Sequence, residues 1–382
     1  MAITLGLSRI SALLRVLGSP HLSVPCVHIA GTNGKGSVSA FLDSILRSSG
    51  LKTGRFNSPH FLSVHDSILL NGSAIQESLY GRLRDEVTAL DQQHQIQASP
   101  FELLAATAFL AFARAEPPLD VAVLEVGVGG AEDATNVVPS PLLSIITPID
   151  LDHQAILGNT IQEIALQKAG IIKQDGQVVV ASQQPDALEV INKVAGEKQS
   201  EVTVVTAATE SGKGEQHWLS GSTHLGLKIP LPGPHQLENA GTALTAARVL
   251  RTSSKCTKVL PSLGNISDTS MMEGIEKTSW AGRLQWLQAT LPSGQNLKLL
   301  ADGAHNPASA QNLRIFVDSL SASDSSPPPS TTWIIGCSAP RSPQSLLQHL
   351  LKPGDKLIAC QFTTLPEGMP WVKPTDPEDV AS

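Results

Sequence analysis

The sequence predicts an α/β protein, a parallel-sheet P-loop domain followed by a smaller Rossmann-like α/β domain. Three observations lead there. Apolar strand candidates alternate with helix candidates through the first two-thirds of the 382-residue chain. The first strand runs into a glycine-rich turn, Gly31-Thr32-Asn33-Gly34-Lys35-Gly36-Ser37, and then into a helix. A second strand and helix alternation begins near Gly282.

The opening MAITLGLSRISALLRVLG has apolar positions at helical spacing and two arginines. It reads as a short amphipathic helix beside the phosphate domain, with a transit peptide as the alternative because Ser and Arg occur without acid. Strands are expected at 26–30, 119–124, 142–146 and 177–181, and helices at 37–48, 101–114 and 160–169. An alanine-rich helix at 238–250 follows Pro232-Gly233-Pro234. The polar stretch 252–277 reads as a loop. Strands of the smaller domain are expected at 297–301, 332–335 and 356–360, with a proline-rich loop at 321–330 and an irregular tail from 365. The boundary is placed between 1–279 and 280–382.

A formal charge of −7 gives no nucleic-acid footprint, and no apolar run reaches membrane-spanning length. The four cysteines, Cys26, Cys256, Cys337 and Cys360, form no CxxC pair. They read as buried reduced thiols of an intracellular protein, not as metal ligands or disulfides.

The turn after the first strand carries the chemistry. Backbone amides at a helix start, a lysine and a serine suit the phosphates of ATP or GTP. The usual phosphate loop has Lys followed directly by Ser or Thr; here Gly36 intervenes. Glu125 ends a strand before Gly127, Gly129 and Gly130, where a carboxylate can hold Mg²⁺. A further strand ends before Asp152 and His153. Read alone, His153 is more readily a structural residue than a metal ligand, and Phe101 as compatible with a core role as with a stacking surface.

The form GTNGKGS resembles the ATP loop of the Mur ligase superfamily, in its folylpolyglutamate synthase and dihydrofolate synthase branch. So do EVGVGG followed by Asp133-Ala134-Thr135-Asn136, the block from Leu151-Asp152-His153 to Lys173, Ser58-Pro59-His60, Ser99-Pro100-Phe101-Glu102, His235-Gln236 with Asn239, Gly282-Arg283, and Asp302-Gly303-Ala304-His305-Asn306-Pro307. The chain departs from that pattern at Ala131-Glu132, where the family has Arg-Leu, and at Ala281, where it has proline. It also stops soon after its last strand candidate, which is expected to leave the small domain shorter than is usual in the family.

The resemblance implies a P-loop ATPase domain and an ATP-dependent ligase that joins L-glutamate to a pteroate or folate carboxylate. It implies ATP contacts from Asn33, Gly34, Lys35, Gly36, Ser37, Asn239, Arg283 and Asp302. It implies metal ligation by Ser37, Ser58, Glu125 and His153, with two Mg²⁺ ions. Phe101, Glu102 and Asp133 are expected at the substrate. Lys35, a carbamylated Lys168 and His305 are expected to take part in catalysis, and the small domain is expected to close over the ATP-loaded one. A cytoplasmic monomer is implied, with a mitochondrial location as the alternative. Asn33 and the ending around 365–371 favour dihydrofolate synthase. A folylpolyglutamate or bifunctional enzyme stays open, as do, from other classes, a catalytically impaired nucleotide-binding homologue and a small-molecule kinase.

Overall fold

A computed structural model describes residues 5–205, 209–210, 216–220, 223–321, 330–339, 343–364 and 372–381. Residues 322–329 of the proline-rich stretch and 365–371 of the tail lie outside them. The chain divides into a larger unit, Ala2–Leu231 with His235–Trp280, and a smaller one built mainly from Ala281–Ser382.

The larger unit is organised by an eight-stranded sheet. Its strands are β1 (Cys26–Ala30), β2 (Thr53–Phe56), β3 (Ile68–Leu70), β4 (Ser73–Ala74), β5 (Val121–Glu125), β6 (Leu143–Ile146), β7 (Gln177–Val180) and β8 (Glu201–Val204). They lie in the order β4-β3-β2-β5-β1-β6-β7-β8. The run from β2 to β8 is parallel, while β3 and β4 extend one edge antiparallel. β1, β2, β5, β6 and β7 are buried along their whole length, as strands covered on both faces must be. The chain moves outward from β1 to β2, returns to β5 beside β1, then crosses to β6 on the other side. That reversal opens a crevice at the carboxyl ends of β5, β1 and β6.

Helices cover both faces. On one lie α1 (Ser8–Val16), α3 (Glu77–Gln93) and α4 (Pro100–Ala113), sharing a core with Phe56, Ile68 and Leu124. The expected opening helix is therefore α1, which buries Ile10, Leu13 and Leu14. On the other lie α2 (Lys35–Ser48) and α8 (His235–Thr252), packed on Val27, Ile29 and Val123. The short α5 (Gln154–Leu157), α6 (Ile161–Ala169) and α7 (Pro185–Glu197) close the β6–β7 region. A small antiparallel sheet holds β9 (Thr209–Glu210), β10 (Gln216–Ser220) and β11 (Thr223–Leu227).

The stretch 252–277, expected to be a loop, is helical. It forms α9 (Ser254–Val259) and α10 (Asp268–Glu276), and α10 packs on α2. A capping box of Ser267 and Ser270 starts α10. Its buried Met271 and Ile275 lie one turn apart, and Gly274 is needed because a Cβ there would lie 2.4 Å from Ile45 Cα. The polar composition reflects the exposed side of a helix whose inner side is small and apolar.

The smaller unit contains the hairpin β12 (Gln285–Thr290) and β13 (Asn296–Ala301), then α11 (Pro307–Ser321), β14 (Thr332–Gly336), β15 (Ser338–Ala339), α12 (Pro343–Leu350) and β16 (Lys356–Cys360). The tail is not wholly irregular: β17 (Lys373–Pro374) and α13 (Pro377–Ala381) form there. Pro377 with Glu378 and Asp379 makes a favourable helix start, and Val380 joins the core around Trp333 and Ile335. All four cysteines are free thiols. Cys26 and Cys256 are buried as expected, but Cys337 is only partly buried and Cys360 is exposed, because alternate positions of β16 face outward.

Candidate active site

The loop after β1 owes its shape to its glycines. Gly31, at φ +149°, packs so closely that a Cβ would fall 1.9 Å from Thr147 Oγ1. Gly34 is left-handed at φ +87°, and a Cβ there would lie 2.3 Å from Asn239 Oδ1. Asn239 thus lies against the loop, its amide fixed by donation to Gln236 Oε1 at 3.0 Å. The amides of Thr32 and Asn33 donate to Pro148 O at 2.9 and 3.2 Å, and the Thr32 hydroxyl bonds Asp150 O at 3.0 Å. The backbone N–H of Asn33, one of the residues expected at the ATP, is thereby engaged within the protein. The following amides, of Lys35, Gly36 and Ser37, begin a 14-residue helix, whose geometry gives them no intrahelical acceptor. They and the helix dipole make an anion site.

Parallel register brings the other groups to this edge. Ile29 aligns with Glu125 across β1 and β5, and Phe56 aligns with Leu124 across β2 and β5. Glu125, 5% exposed, thus stands beside the loop, with Oε1 at 4.0 Å from Lys35 Nζ. Its Oε2 accepts the Asn57 amide at 2.7 Å. Asn57 also donates to Ser39 Oγ at 2.6 Å, and Ser58 follows directly after it.

Sequence reasoning missed Asn57. The strand before it, Thr53–Phe56, reads TGRF and is not an apolar run, so the sequence offered little signal for it.

Magnesium prefers hard oxygen donors and few protein ligands, because it keeps waters and phosphate oxygens. Ser37, buried at the start of α2, and Glu125 are donors of that kind. The Asn57 Oδ1 atom is buried there without a partner, which further suits an ion or its hydration shell. These residues fit the ion. His153 lies elsewhere on this edge, at the start of α5, with Nε2 at 3.9 Å from Asp152 Oδ2. Among the described residues no three His, Cys, Asp or Glu side chains gather into a metal cage.

Lys168, at the end of α6, is 3% exposed and donates to Gly31 O at 2.7 Å. Burial, reinforced by the Lys35 charge, brings its ammonium down to about 7. It therefore braces the first residue of the nucleotide loop from below.

The turn after β5 is held differently. Asp133, 1% exposed, accepts Gly127 N at 3.1 Å and Val128 N at 3.0 Å on one oxygen. The other oxygen accepts the amide and hydroxyl of Thr135, at 2.9 and 2.5 Å. Burial pushes the Asp133 carboxyl up, and these bonds oppose that shift. Asp133, expected at the substrate, is buried here and organises the turn between Gly127 and Thr135. Behind it, His28 Nε2 meets Thr135 Oγ1 at 2.8 Å. Burial holds that imidazole neutral, with a pKa near 3.

Phe101 is half-buried and roofs the turn: a Cβ on Gly127 would lie 2.5 Å from its Cζ. Glu102, also expected at the substrate, caps α4 by accepting Ser99 N at 2.6 Å and pairs with Arg9 at 2.9 Å.

Within the smaller unit two distant motifs meet. Asp302 accepts Leu284 N at 2.9 Å, and Gly303 N donates to Gly282 O at 3.1 Å. A Cβ on Gly303 would lie 2.8 Å from Arg283 Nη1, and His305 Nδ1 lies 3.0 Å from Gly303 O. Arg283, Asp302 and His305 form one cluster.

No helix among the described residues is long and apolar enough to cross a membrane. Residues 29–247 match the Mur ligase middle domain, and 285–382 match the C-terminal domain of dihydrofolate synthetase. The chain is 38% identical to a probable dihydrofolate synthetase of Schizosaccharomyces pombe, over 99% of this chain and 87% of that protein. It is 35% identical to the dihydrofolate synthetase of Saccharomyces cerevisiae, over 100% and 86%. Among solved structures it resembles a Mycobacterium tuberculosis folylpolyglutamate synthase complexed with ADP and AMPPCP, at a TM-score of 0.80 and 30% identity, covering 98% and 82%. A nucleotide loop, a carboxylate on the neighbouring strand and both family matches lead to one conclusion: the chain belongs to the Mur ligase superfamily, in its dihydrofolate synthetase family.

Proposed function

We propose that the protein is a dihydrofolate synthase, which uses ATP to join the α-amine of L-glutamate to the carboxylate of dihydropteroate. The observation that carries this is the approach of Glu125 to Lys35 at 4.0 Å, at the sheet edge where the helix start presents its amides. The choice of dihydropteroate is supported by the two fungal relatives and by the C-terminal domain match.

A free carboxylate is a poor acyl donor, since oxide would have to leave. Transfer of the γ-phosphoryl group converts it to an acyl phosphate; the glutamate amine then attacks the acyl carbon, and phosphate departs with the C–O bond pair. Such chemistry asks the protein mainly for position and charge. The amides of Lys35, Gly36 and Ser37, with the Lys35 ammonium, would bind the phosphate oxygens. Ser37 and Glu125 would hold Mg²⁺, which when bound offsets phosphate charge; Ser58 and His153 are the further ligands we propose. Asn239 would keep Gly34 in its left-handed form, and Phe101 would offer an apolar face to a pterin ring. We assign Arg283 and Asp302 to the nucleotide and His305 to the phosphates and incoming amine. Reaction with carbon dioxide requires a neutral amine, and the lowering of Lys168 to about 7 makes that form accessible near neutral pH, so a carbamate is proposed there. Its signature is a carbamate carbon resonance in the 13C NMR spectrum of the folded protein supplied with 13C-bicarbonate, absent in Lys168→Met.

The test is product analysis with ATP, glutamate and either dihydropteroate or tetrahydrofolate. Dihydrofolate formed from the first supports the proposal. Extension of the second alone makes the enzyme a folylpolyglutamate synthase, and a phosphorylated product without an amide makes it a kinase. Phosphate release that needs neither glutamate nor pteroate overturns ligase activity.

A further inference from the structure

Gly36, the residue separating Lys35 from Ser37, faces an aromatic wall. A Cβ there would lie 3.1 Å from Trp280 Cζ2 and 3.2 Å from Trp280 Nε1. The same ring carries the Arg55 guanidinium, whose Cζ lies 4.6 Å from the ring centroid. Arg55 rises from β2, is 4% exposed, and has Nη1 at 3.9 Å from Asp43 of α2. Arg55 Nε and Trp280 Nε1 are both buried without a hydrogen-bond partner. Two unpaired buried donors are unfavourable for folding, and a plain apolar pair would fill the space better. Trp280 is also the last residue of the larger unit before Ala281 opens the smaller one.

We infer that Trp280 is a positioning residue for the nucleotide, its ring held by Arg55 against Gly36 so that the first turn of α2 aims its amides at the phosphates. The inference rests on Gly31–Ser37 being the nucleotide loop. It accounts for glycine between lysine and serine: a side chain there would press on the ring, which would have to give by a few tenths of an ångström. The same contact fixes the point from which the connecting segment leaves the larger unit.

The experiment is a double-mutant cycle read by calorimetric titration with MgADP, alongside intrinsic fluorescence. Gly36→Ala is expected to weaken ADP binding about tenfold in the native background and less than about threefold in Trp280→Leu, because the tight contact with the ring has gone. The KM for ATP should rise more than kcat falls. Trp280→Phe keeps a ring for Arg55 and should bind ADP nearly as well as the native chain. The chain has five tryptophans, and Trp280→Phe should abolish the ADP-induced fluorescence change. Equal losses from Gly36→Ala in both backgrounds, or a fluorescence change that survives in Trp280→Phe, overturn the inference while leaving the nucleotide loop intact. Failure of the native chain to bind ADP overturns both. If Trp280→Leu does not fold, the fluorescence comparison decides alone.

Discussion

Two glycine turns leave the same sheet edge, and they solve opposite problems. The turn after β5 contains its own acceptor: Asp133 takes the amides of Gly127 and Val128. The turn after β1 borrows one from its neighbour, Pro148 O, for Thr32 and Asn33 only. The next amides begin α2 without an intrahelical acceptor. A turn with an internal carboxylate is closed to anions, and one without it is open to them. The first is built for rigidity and the second for a ligand, although both read as glycine-rich loops after apolar strands.

The contrast breaks most sharply at Lys35. Lys35→Ala is expected to lower kcat about 10²–10³-fold in a glutamate-dependent ADP-release assay. Its thermal midpoint should stay near native. Asp133→Asn should do the reverse, losing about 3 kcal/mol of stability in urea because an amide N–H then confronts backbone donors. If Asp133→Asn melted normally and only raised the KM for the pteroate substrate, the carboxylate would be a substrate contact after all.

Lys168 sharpens the comparison through pH. Its folded pKa, about 7, lies below the ordinary 10.5. Between those values the unfolded chain binds a proton that the folded chain does not, so stability rises with pH across that window. Below it the penalty of burying the ammonium is fully present. The urea midpoint of the native chain should therefore climb relative to Lys168→Met from pH 7 to 9; a constant gap would place the amine in its ordinary state. Smallest is Thr135→Val, expected to lose about 1–2 kcal/mol with Thr135→Ser restoring most of it, since only the hydroxyl links His28 to Asp133.

Strong periodicity made much of the fold legible. The expected strand at 26–30 is β1, and the helix expected at 37–48 is α2, begun two residues earlier at Lys35. The helix α10 was not legible, because a nine-residue segment with Ser, Thr, Asp and Gly shows its helical nature only once its inner side meets α2. At the site, motif order pointed to Lys35, Ser37 and Glu125. It could not show that Asp133 and Glu102 face inward, since a carboxylate that caps a turn and one that binds a ligand look alike in sequence. Nor could it show Asn57, Arg55 or Trp280. Their roles arise from contacts between strands and helices far apart in the chain.

The glycine between lysine and serine also sets the angle between the loop and the helix that follows. Each residue of an α-helix turns the chain by about 100°. Val38, Phe41, Leu42 and Ile45, all wholly buried, hold that helix against the sheet. Deleting Gly36 to make Lys and Ser adjacent would therefore shift Lys35 by that angle relative to a helix fixed by the hydrophobic interior, and shorten the path from β1 by one residue.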